Sequence, residues 1–188
     1  MNEKVICVPG LVRVHLIPKV ASASINAAFK NERRHHLAPA HEDGGEYRWA
    51  VIRHPLDRLV SLWSYFCEGD GLKGQPQVAK LGYFKGQGFE AFLDVVYNKG
   101  WANIHTRPQS GFLGDRQADY YADFANLGEE WKALKRRSPG LKIPWNLPRM
   151  HQTKHRGWKD YFTPETRKRA EDHFAKDMAL HGKATRHD

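Results

Sequence analysis

The chain has 188 residues, with 30 lysines and arginines against 21 aspartates and glutamates, which gives a formal net charge of +9 at pH 7. This length suits one domain with a hydrophobic core, so we expect a single domain over residues 1–188. No stretch approaches the roughly 18 apolar residues of a membrane span, and early charged residues argue against a signal peptide. A protein this basic is expected to bind an anionic ligand.

Two cysteines, Cys7 and Cys67, lie in apolar stretches and form no CxxC pair. A disulfide framework or a cysteine-built zinc site is therefore not expected, and we interpret both as buried thiols in a reducing compartment. The chain also carries no acidic metal-binding motif, so we expect a soluble protein without a metal site.

Strand and helix signals alternate along the chain. Runs rich in β-branched and aliphatic residues predict strands at residues 11–17, 49–53 and 118–124. Apolar periodicity predicts helices at residues 23–31, 55–66, 89–98 and 127–137. Glycines and polar residues predict connections at residues 35–48 and 68–88. A last helix is predicted at residues 163–182, with Thr163 as N-cap and Gly182 as C-cap. This alternation is typical of an α/β fold with a parallel sheet and helices on its faces.

The segment PKVASAS, residues 18–24, joins the first predicted strand to the first predicted helix. Amides at the start of a helix bind anions, and the amides expected to do so here belong to Ala21, Ser22, Ala23, Ser24 and Ile25. Lys19 adds a positive charge, and the two serines add hydroxyl donors. The segment does not match GxxxxGK[ST], because its lysine precedes the loop, but a shorter loop still suffices for one phosphate.

The segment IRHPLDRLVS, residues 52–61, follows the second predicted strand. Arg53 stands at the strand end, where a guanidinium can bind a phosphate through two hydrogen bonds. Ser61 lies two turns into the next helix and could reach back toward the same phosphate. A structural alternative makes Arg53 the ion-pair partner of Asp57.

Together these segments resemble the sulfotransferases that use 3′-phosphoadenosine 5′-phosphosulfate (PAPS), in particular their carbohydrate-type superfamily. PKVASAS resembles the family motif PK-x-[GA]-[ST]-x-S, which holds the 5′-phosphosulfate, although Ala21 and Ala23 stand where relatives often have glycine or threonine. VIRHPLDRLVS is close to the motif that holds the 3′-phosphate. NIHTRPQSGFL, residues 103–113, resembles an N-x-H-x-x-P-Q segment, and residues 160–182 resemble the C-terminal helix. The resemblance runs from about residue 11 to residue 182.

This resemblance implies a P-loop-like three-layer fold, with a central, mainly parallel sheet flanked by helices. It implies PAPS as donor, 3′,5′-adenosine diphosphate as product, and a small-molecule or glycan hydroxyl as acceptor, with no nucleic-acid or membrane partner. Eukaryotic relatives carry a Golgi anchor, which this sequence lacks, so we expect a cytoplasmic protein of bacterial or viral origin. Lys154 and Arg156, in a basic turn before the last helix, are expected on the 3′-phosphate side.

Sulfuryl transfer needs a base for the acceptor proton, and histidine is the first candidate because its pKa lies near neutrality. Relatives place a histidine between the two motifs, where this chain has His35, His36 and His41. We favour His36, although His35 fits about as well. Lys19 could also contact the bridging oxygen as charge builds on the leaving phosphate. His105 could line the acceptor cleft or brace its loop.

Other functions remain open at this point. Net charge and many aromatic residues also suit a nucleic-acid-binding module, although the basic residues are scattered and no known reader motif appears. A nucleotide kinase is disfavoured by the missing loop lysine. A nucleotide-binding homologue without activity is a further alternative.

Overall fold

A computed structural model of the protein describes residues 4–39, 44–113, 117–150 and 155–186. The chain forms two compact units. The first comprises Met1–Arg53, Gln109–His151 and Ala179–Asp188 and contains the sheet, and the second comprises His54–Pro108 and Gln152–Met178 and is helical. Within the described ranges, no helix combines the length and the apolar character needed to cross a membrane.

The described part of the first unit holds a sheet of five strands, β1 (Lys4–Val8), β2 (Val12–His15), β3 (His36–Pro39), β4 (Tyr47–Ile52) and β5 (Tyr120–Asp123). Their spatial order is β3-β1-β2-β4-β5. β2 pairs in parallel with β4, and β4 with β5, whereas β1 is antiparallel to both β2 and β3. The α/β class is confirmed, but the expected mainly parallel sheet is wrong, because two of these four pairings are antiparallel.

The two antiparallel pairings involve β1 and its neighbours β2 and β3. β1 turns back into β2 through a tight turn in which Gly10 has a φ of 71° and the Leu11 N–H donates to the Val8 carbonyl. β3 lies inside the stretch 35–48, which we predicted as a connection. It is an edge strand with His36 and Leu37 exposed, so its sequence lacks the apolar run of a buried strand.

The register defines two edges of the sheet. β3 runs parallel to β2, since both are antiparallel to β1, so the strands β2 to β5 all end at one edge. We name this the carboxyl edge and the opposite one the amino edge. His36 is level with Cys7, Arg13 and Arg48 at the amino edge.

The core of the first unit lies between the sheet and its helices. α1 (Ser22–Ala28) buries Ile25 and Ala28, one turn apart, and continues into a 3-10 turn at Phe29–Asn31. α5 (Leu127–Arg137) buries Trp131, whose ring meets Phe29 edge-on at 6.0 Å and Trp49 at 6.3 Å. These elements match the helices predicted at 23–31 and 127–137.

The second unit is built from amphipathic helices. α2 (Pro55–Trp63) buries one face through Leu56, Leu59 and Leu62 and continues as a π-helical turn at Ser64–Glu68. The core of the second unit also includes residues from two other helices, α4 (Phe89–Lys99) and α6 (Pro164–His173). A short helix, α3 (Pro76–Ala79), lies in the predicted connection 68–88.

The predicted C-terminal helix at 163–182 is interrupted. Thr163 caps α6 as expected, in a reciprocal pair with Thr166. α6 then ends at Phe174, whose φ of −105° and ψ of 28° leave the helical region. α7 (Ala175–Ala184) follows, so Gly182 lies inside a helix and the prediction that it forms the C-cap is wrong.

Glu32 ties two segments together, residues 32–34 just before β3 and residues 140–142 after α5. Its carboxylate, 1% exposed, accepts hydrogen bonds from the Arg34 N–H, from the Arg34 guanidinium at 2.8 Å and from the Lys142 N–H at 2.8 Å. Arg34 also donates to the Gly140 carbonyl. Hydrogen bonding to Arg34, the largest cause, lowers the pKa of Glu32 to about 2.

Backbone strain is concentrated before α1. Lys19 and Ala21 have φ values of 64° and 58°, the left-handed region, and no other described residue except glycine has a positive φ. This conformation costs an L-residue about 1–2 kcal/mol. The strain therefore lies in the segment predicted to hold an anion.

The Glu32→Gln substitution should lower the free energy of unfolding by about 2–3 kcal/mol at pH 7, because hydrogen bonds to a charged group are lost. The folded pKa of Glu32 lies below its unfolded value near 4.5, so its stabilisation is complete above pH 4.5 and is lost as the pH falls toward 2. Urea unfolding should thus show the wild-type advantage shrinking by about half at pH 3. Glu129→Gln, at an exposed surface pair, should leave the midpoint unchanged; an equal Glu32→Gln loss at both pH values would contradict the assignment.

The Ala21→Gly substitution should raise the free energy of unfolding by up to about 1 kcal/mol, because glycine relieves the left-handed strain and loses about 0.5–1 kcal/mol through its more flexible unfolded chain. Ala23→Gly is the matched control, since Ala23 is helical and exposed and its replacement should cost about 0.5–1 kcal/mol. Denaturant unfolding of both variants tests this, and equal losses would show that Ala21 is unstrained.

Candidate functional site

Lys19 and Arg53 follow two neighbouring parallel strands at the carboxyl edge. Lys19 belongs to the loop after β2, and Arg53 comes directly after β4. Ligands of α/β proteins bind at this edge of a sheet, in the crevice beside the strand ends. Lys19 of the first predicted motif and Arg53 near the start of the second, both in the first unit, therefore lie together at this edge.

Arg53 links this edge to the loop. It is 8% exposed, and its Nη1 donates to the Lys19 carbonyl at 3.1 Å. The guanidinium carbon also lies 4.6 Å from the centre of the Phe124 ring, just after β5. A guanidinium held in this way has a fixed plane, and a fixed guanidinium plane suits the binding of an oxyanion through two hydrogen bonds.

Gln109 belongs to the candidate site, although the sequence alone predicted no role for it. Its side chain is fully buried, its Oε1 accepts from the Arg53 N–H at 3.0 Å, and its Nε2 donates to the Arg53 carbonyl at 2.8 Å. The only sequence signal was its place in NIHTRPQSGFL, which carries no hint of contact with a residue 56 positions away.

His15 is a second residue that the sequence analysis missed. It is 1% exposed on β2, and its Nδ1 lies 3.1 Å from the Phe112 carbonyl, so Nδ1 carries the proton and donates. Burial lowers the pKa of His15 to about 4, and the charges of Arg48 and Arg13 act in the same direction. The imidazole is therefore neutral at physiological pH.

The loop after β2 offers donors of different kinds. Ser24 is buried and its Oγ accepts from the Met150 N–H at 3.1 Å, which leaves its hydroxyl proton to donate. The Ile25 N–H already donates to the Ala21 carbonyl at 2.9 Å, and the Ile25 side chain is in the core. Ser22 and Ala23 occupy the first helical positions, where an N–H has no acceptor within the helix.

The candidate histidines lie at different places. His36 begins β3 at the amino edge, level with Arg48, which precedes Arg53 by five residues, or about 16 Å of strand. His35 precedes it, and its Nδ1 contacts the Glu32 carbonyl. His41 lies outside the described residues. The described topology therefore places His35 and His36 away from the carboxyl edge.

In the second unit, Ser61 is 1% exposed within α2. Arg58, on the same helix, is 2% exposed and donates to the carbonyls of Arg107 at 3.0 Å and His105 at 2.9 Å. His105 is half-buried, and its Nδ1 lies 3.2 Å from the Asn103 Oδ1. These contacts hold the segment before Gln109 in place and give His105 a fixed ring orientation.

The basic turn before α6 is only partly described. Lys154 lies outside the described residues. Arg156 is exposed, with its N–H donating to the Tyr161 hydroxyl at 3.3 Å and its guanidinium 5.5 Å from the Tyr161 ring centre. Trp158 stacks on His54 at 4.6 Å and borders an open cavity of about 520 Å³ that none of the predicted residues lines.

No group of three or more histidine, cysteine, aspartate or glutamate side chains in the described ranges is placed to hold a metal ion. Neither the curated proteins nor the solved structures contain a match to this chain. A family model described as the sulfotransferase family matches residues 14–184. This match covers nearly the whole chain, including both motifs at the carboxyl edge, and the chain belongs to the sulfotransferase family.

Proposed function

We propose that this sulfotransferase transfers a sulfuryl group from PAPS to a hydroxyl acceptor, either a glycan or a small molecule. The observation that carries the proposal is the hydrogen bond from Arg53 to the Lys19 carbonyl, which joins two motifs that lie 34 residues apart. Both motifs follow adjacent parallel strands, and anionic ligands of α/β folds bind at such strand ends.

The residues present fit this donor. The loop from Lys19 to Ser24 offers first-turn amides, two hydroxyl groups and one ammonium, which suit the 5′-phosphosulfate. Arg53 offers a preorganised guanidinium for the 3′-phosphate. Ser61, Lys154 and Arg156 are assigned to the 3′-phosphate side by the family resemblance. Ile25 contributes through packing, since its amide already has an acceptor.

The proposed chemistry is an in-line transfer. The acceptor oxygen forms a bond to sulfur while the bond between sulfur and the bridging phosphate oxygen breaks, and the hydroxyl proton passes to a histidine. Negative charge builds on the leaving phosphate, where the Lys19 ammonium can stabilise it. PAPS supplies the activated sulfuryl group, and the protein supplies orientation, charge and the base.

The strand topology changes our preferred base. β3 begins at the amino edge with His36 and ends at Pro39, three residues nearer the carboxyl edge. His41 follows Pro39 by two residues in the sequence. We therefore propose His41 as the base in place of His36, with His105 as the next candidate because its ring is oriented by Asn103. We further propose a cytoplasmic location and an acceptor other than nucleic acid or membrane.

The nucleotide 3′,5′-adenosine diphosphate should stabilise the protein much more than 5′-adenosine monophosphate does, because Arg53 binds the 3′-phosphate. A ligand at 100 times its Kd adds about 2.7 kcal/mol to the free energy of unfolding, so thermal-shift assays resolve the difference. Arg53→Ala should abolish the preference and Lys19→Ala should weaken binding of the diphosphate. Arg33→Ala, at an exposed position, is the matched control.

Equal shifts from the two nucleotides would remove the case for a 3′-phosphate site. Stabilisation by ATP with magnesium alone would favour a kinase. Tight oligonucleotide binding at physiological salt, without competition from the diphosphate, would favour the nucleic-acid module.

The His41→Ala substitution should lower kcat for sulfuryl transfer by roughly 10²–10⁴-fold, because the acceptor loses its general base. The Kd for 3′,5′-adenosine diphosphate should remain near the wild-type value. Transfer of labelled sulfate from PAPS to a panel of glycans and phenols provides the measurement. His35→Ala and His36→Ala are the controls and should retain activity. A large loss in His36→Ala alone would return the role to that residue, and full activity in all three variants would direct the test to His105.

A further inference from the structure

Gln109 begins a short 3-10 helix, Gln109–Phe112, and holds the backbone of Arg53 from its side. Its two hydrogen bonds, at 3.0 Å and 2.8 Å, use the Arg53 N–H and the Arg53 carbonyl together. A carboxamide is the side chain that offers an acceptor and a donor side by side in one plane. Arg53 is the first residue after β4, so Gln109 supplies the pair of bonds that a neighbouring strand supplies within a ladder.

The helix that carries Gln109 is itself anchored to the sheet. The Phe112 carbonyl at its end accepts the hydrogen bond from His15 on β2, and the Phe112 side chain is 3% exposed in the core. β2 and β4 are paired strands. Gln109 therefore stands on a short element whose far end is fixed to the sheet, which allows it to define the position of Arg53 rather than follow it.

The Arg53 side chain begins from this fixed backbone. Its guanidinium lies over the Phe124 ring and donates to the Lys19 carbonyl, in a loop where Lys19 has a left-handed conformation. A shift of the Arg53 backbone would move the guanidinium and the loop contact together. Small displacements of this kind weaken bidentate binding, because both hydrogen bonds depend on one plane.

We infer that Gln109 is a positioning residue for the sulfate donor: it fixes the backbone of Arg53 so that the guanidinium is preorganised for the 3′-phosphate. This rests on the proposed function. It gives the N-x-H-x-x-P-Q segment a role on the donor side through its glutamine, in addition to any contact with the acceptor.

The test compares two buried glutamines. Gln109→Met keeps the volume and removes both hydrogen bonds. Gln87→Met is the matched control, since Gln87 is 4% exposed and also bonds backbone groups, at Phe84 and Gly82, in the other unit. Calorimetry with 3′,5′-adenosine diphosphate should give a Kd raised at least tenfold for Gln109→Met and changed less than twofold for Gln87→Met, with circular dichroism confirming that each variant is folded.

Two further measurements separate positioning from general destabilisation. In an Arg53→Ala background, Gln109→Met should change the Kd less than twofold, because its effect passes through the missing guanidinium. Without nucleotide, hydrogen exchange at the Arg53 amide should accelerate at least tenfold in Gln109→Met. If this variant does not fold, Gln109→Asn carries the same test, because it is one methylene shorter and cannot reach both backbone groups.

A folded Gln109→Met or Gln109→Asn variant with a Kd within twofold of wild type would overturn the inference and leave the proposed function standing. Losses that add to those of Arg53→Ala would overturn it as well, since Gln109 would then act independently. A wild-type protein that does not bind 3′,5′-adenosine diphosphate would overturn the inference and the proposed function together.

Discussion

The parallel pairing of β2 with β4 is the constraint on which the rest of the site depends. Because the two strands are neighbours and run the same way, the loops that follow them leave the sheet side by side. One loop carries Lys19 and the serines, and the other begins with Arg53. The Arg53 side chain then connects them through its hydrogen bond to the Lys19 carbonyl. The proposed phosphate-binding site therefore depends first on the order and direction of the strands and then on individual side chains.

The backbone of the loop after β2 is strained. The loop contains no glycine, and its two left-handed positions are occupied by the L-residues Lys19 and Ala21. Such strain persists where surrounding structure determines the backbone, and it is concentrated at functional sites. Here the surroundings include the Arg53 contact with the Lys19 carbonyl and the bond from Met150 to Ser24. The strained backbone and the predicted anion site therefore coincide.

Much of the fold could be predicted from the sequence, because several elements carry strong local signals. α5 has the predicted bounds 127–137, and β4 and the start of α6 follow their apolar run and their Thr163 cap closely. β3 was not predicted, because this edge strand lacks an apolar run. Its antiparallel pairing with β1 contributes to the mixed character of the sheet. The break at Phe174 was also not predicted, because the neighbouring sequence AEDHFAKDM contains no glycine or proline to mark the end of a helix.

The residues of the candidate site also differ in whether a local sequence pattern predicts their position. The sequence placed Lys19, Ser24 and Arg53 near strand ends, and the described topology confirms that placement, whereas their role in donor binding stays a prediction. The roles of Gln109 and His15 depend on contacts between residues 56 and 97 positions apart, which no local pattern encodes. The preference for His36 rested on its position between two motifs, which does not indicate the edge of the sheet at which a residue lies.

The Glu32 network has a consequence for how this protein can change. It ties together two segments, one of which leads into β3 at the amino edge, whereas the proposed donor site lies at the carboxyl edge, about 16 Å along the strands. Substitutions separated by more than about 10 Å usually have additive effects on stability. A substitution at the amino edge that raises the free energy of unfolding can therefore offset a destabilising substitution at the carboxyl edge without altering the residues there. The protein can thus tolerate destabilising substitutions in the proposed donor loops when stabilising substitutions arise around Glu32.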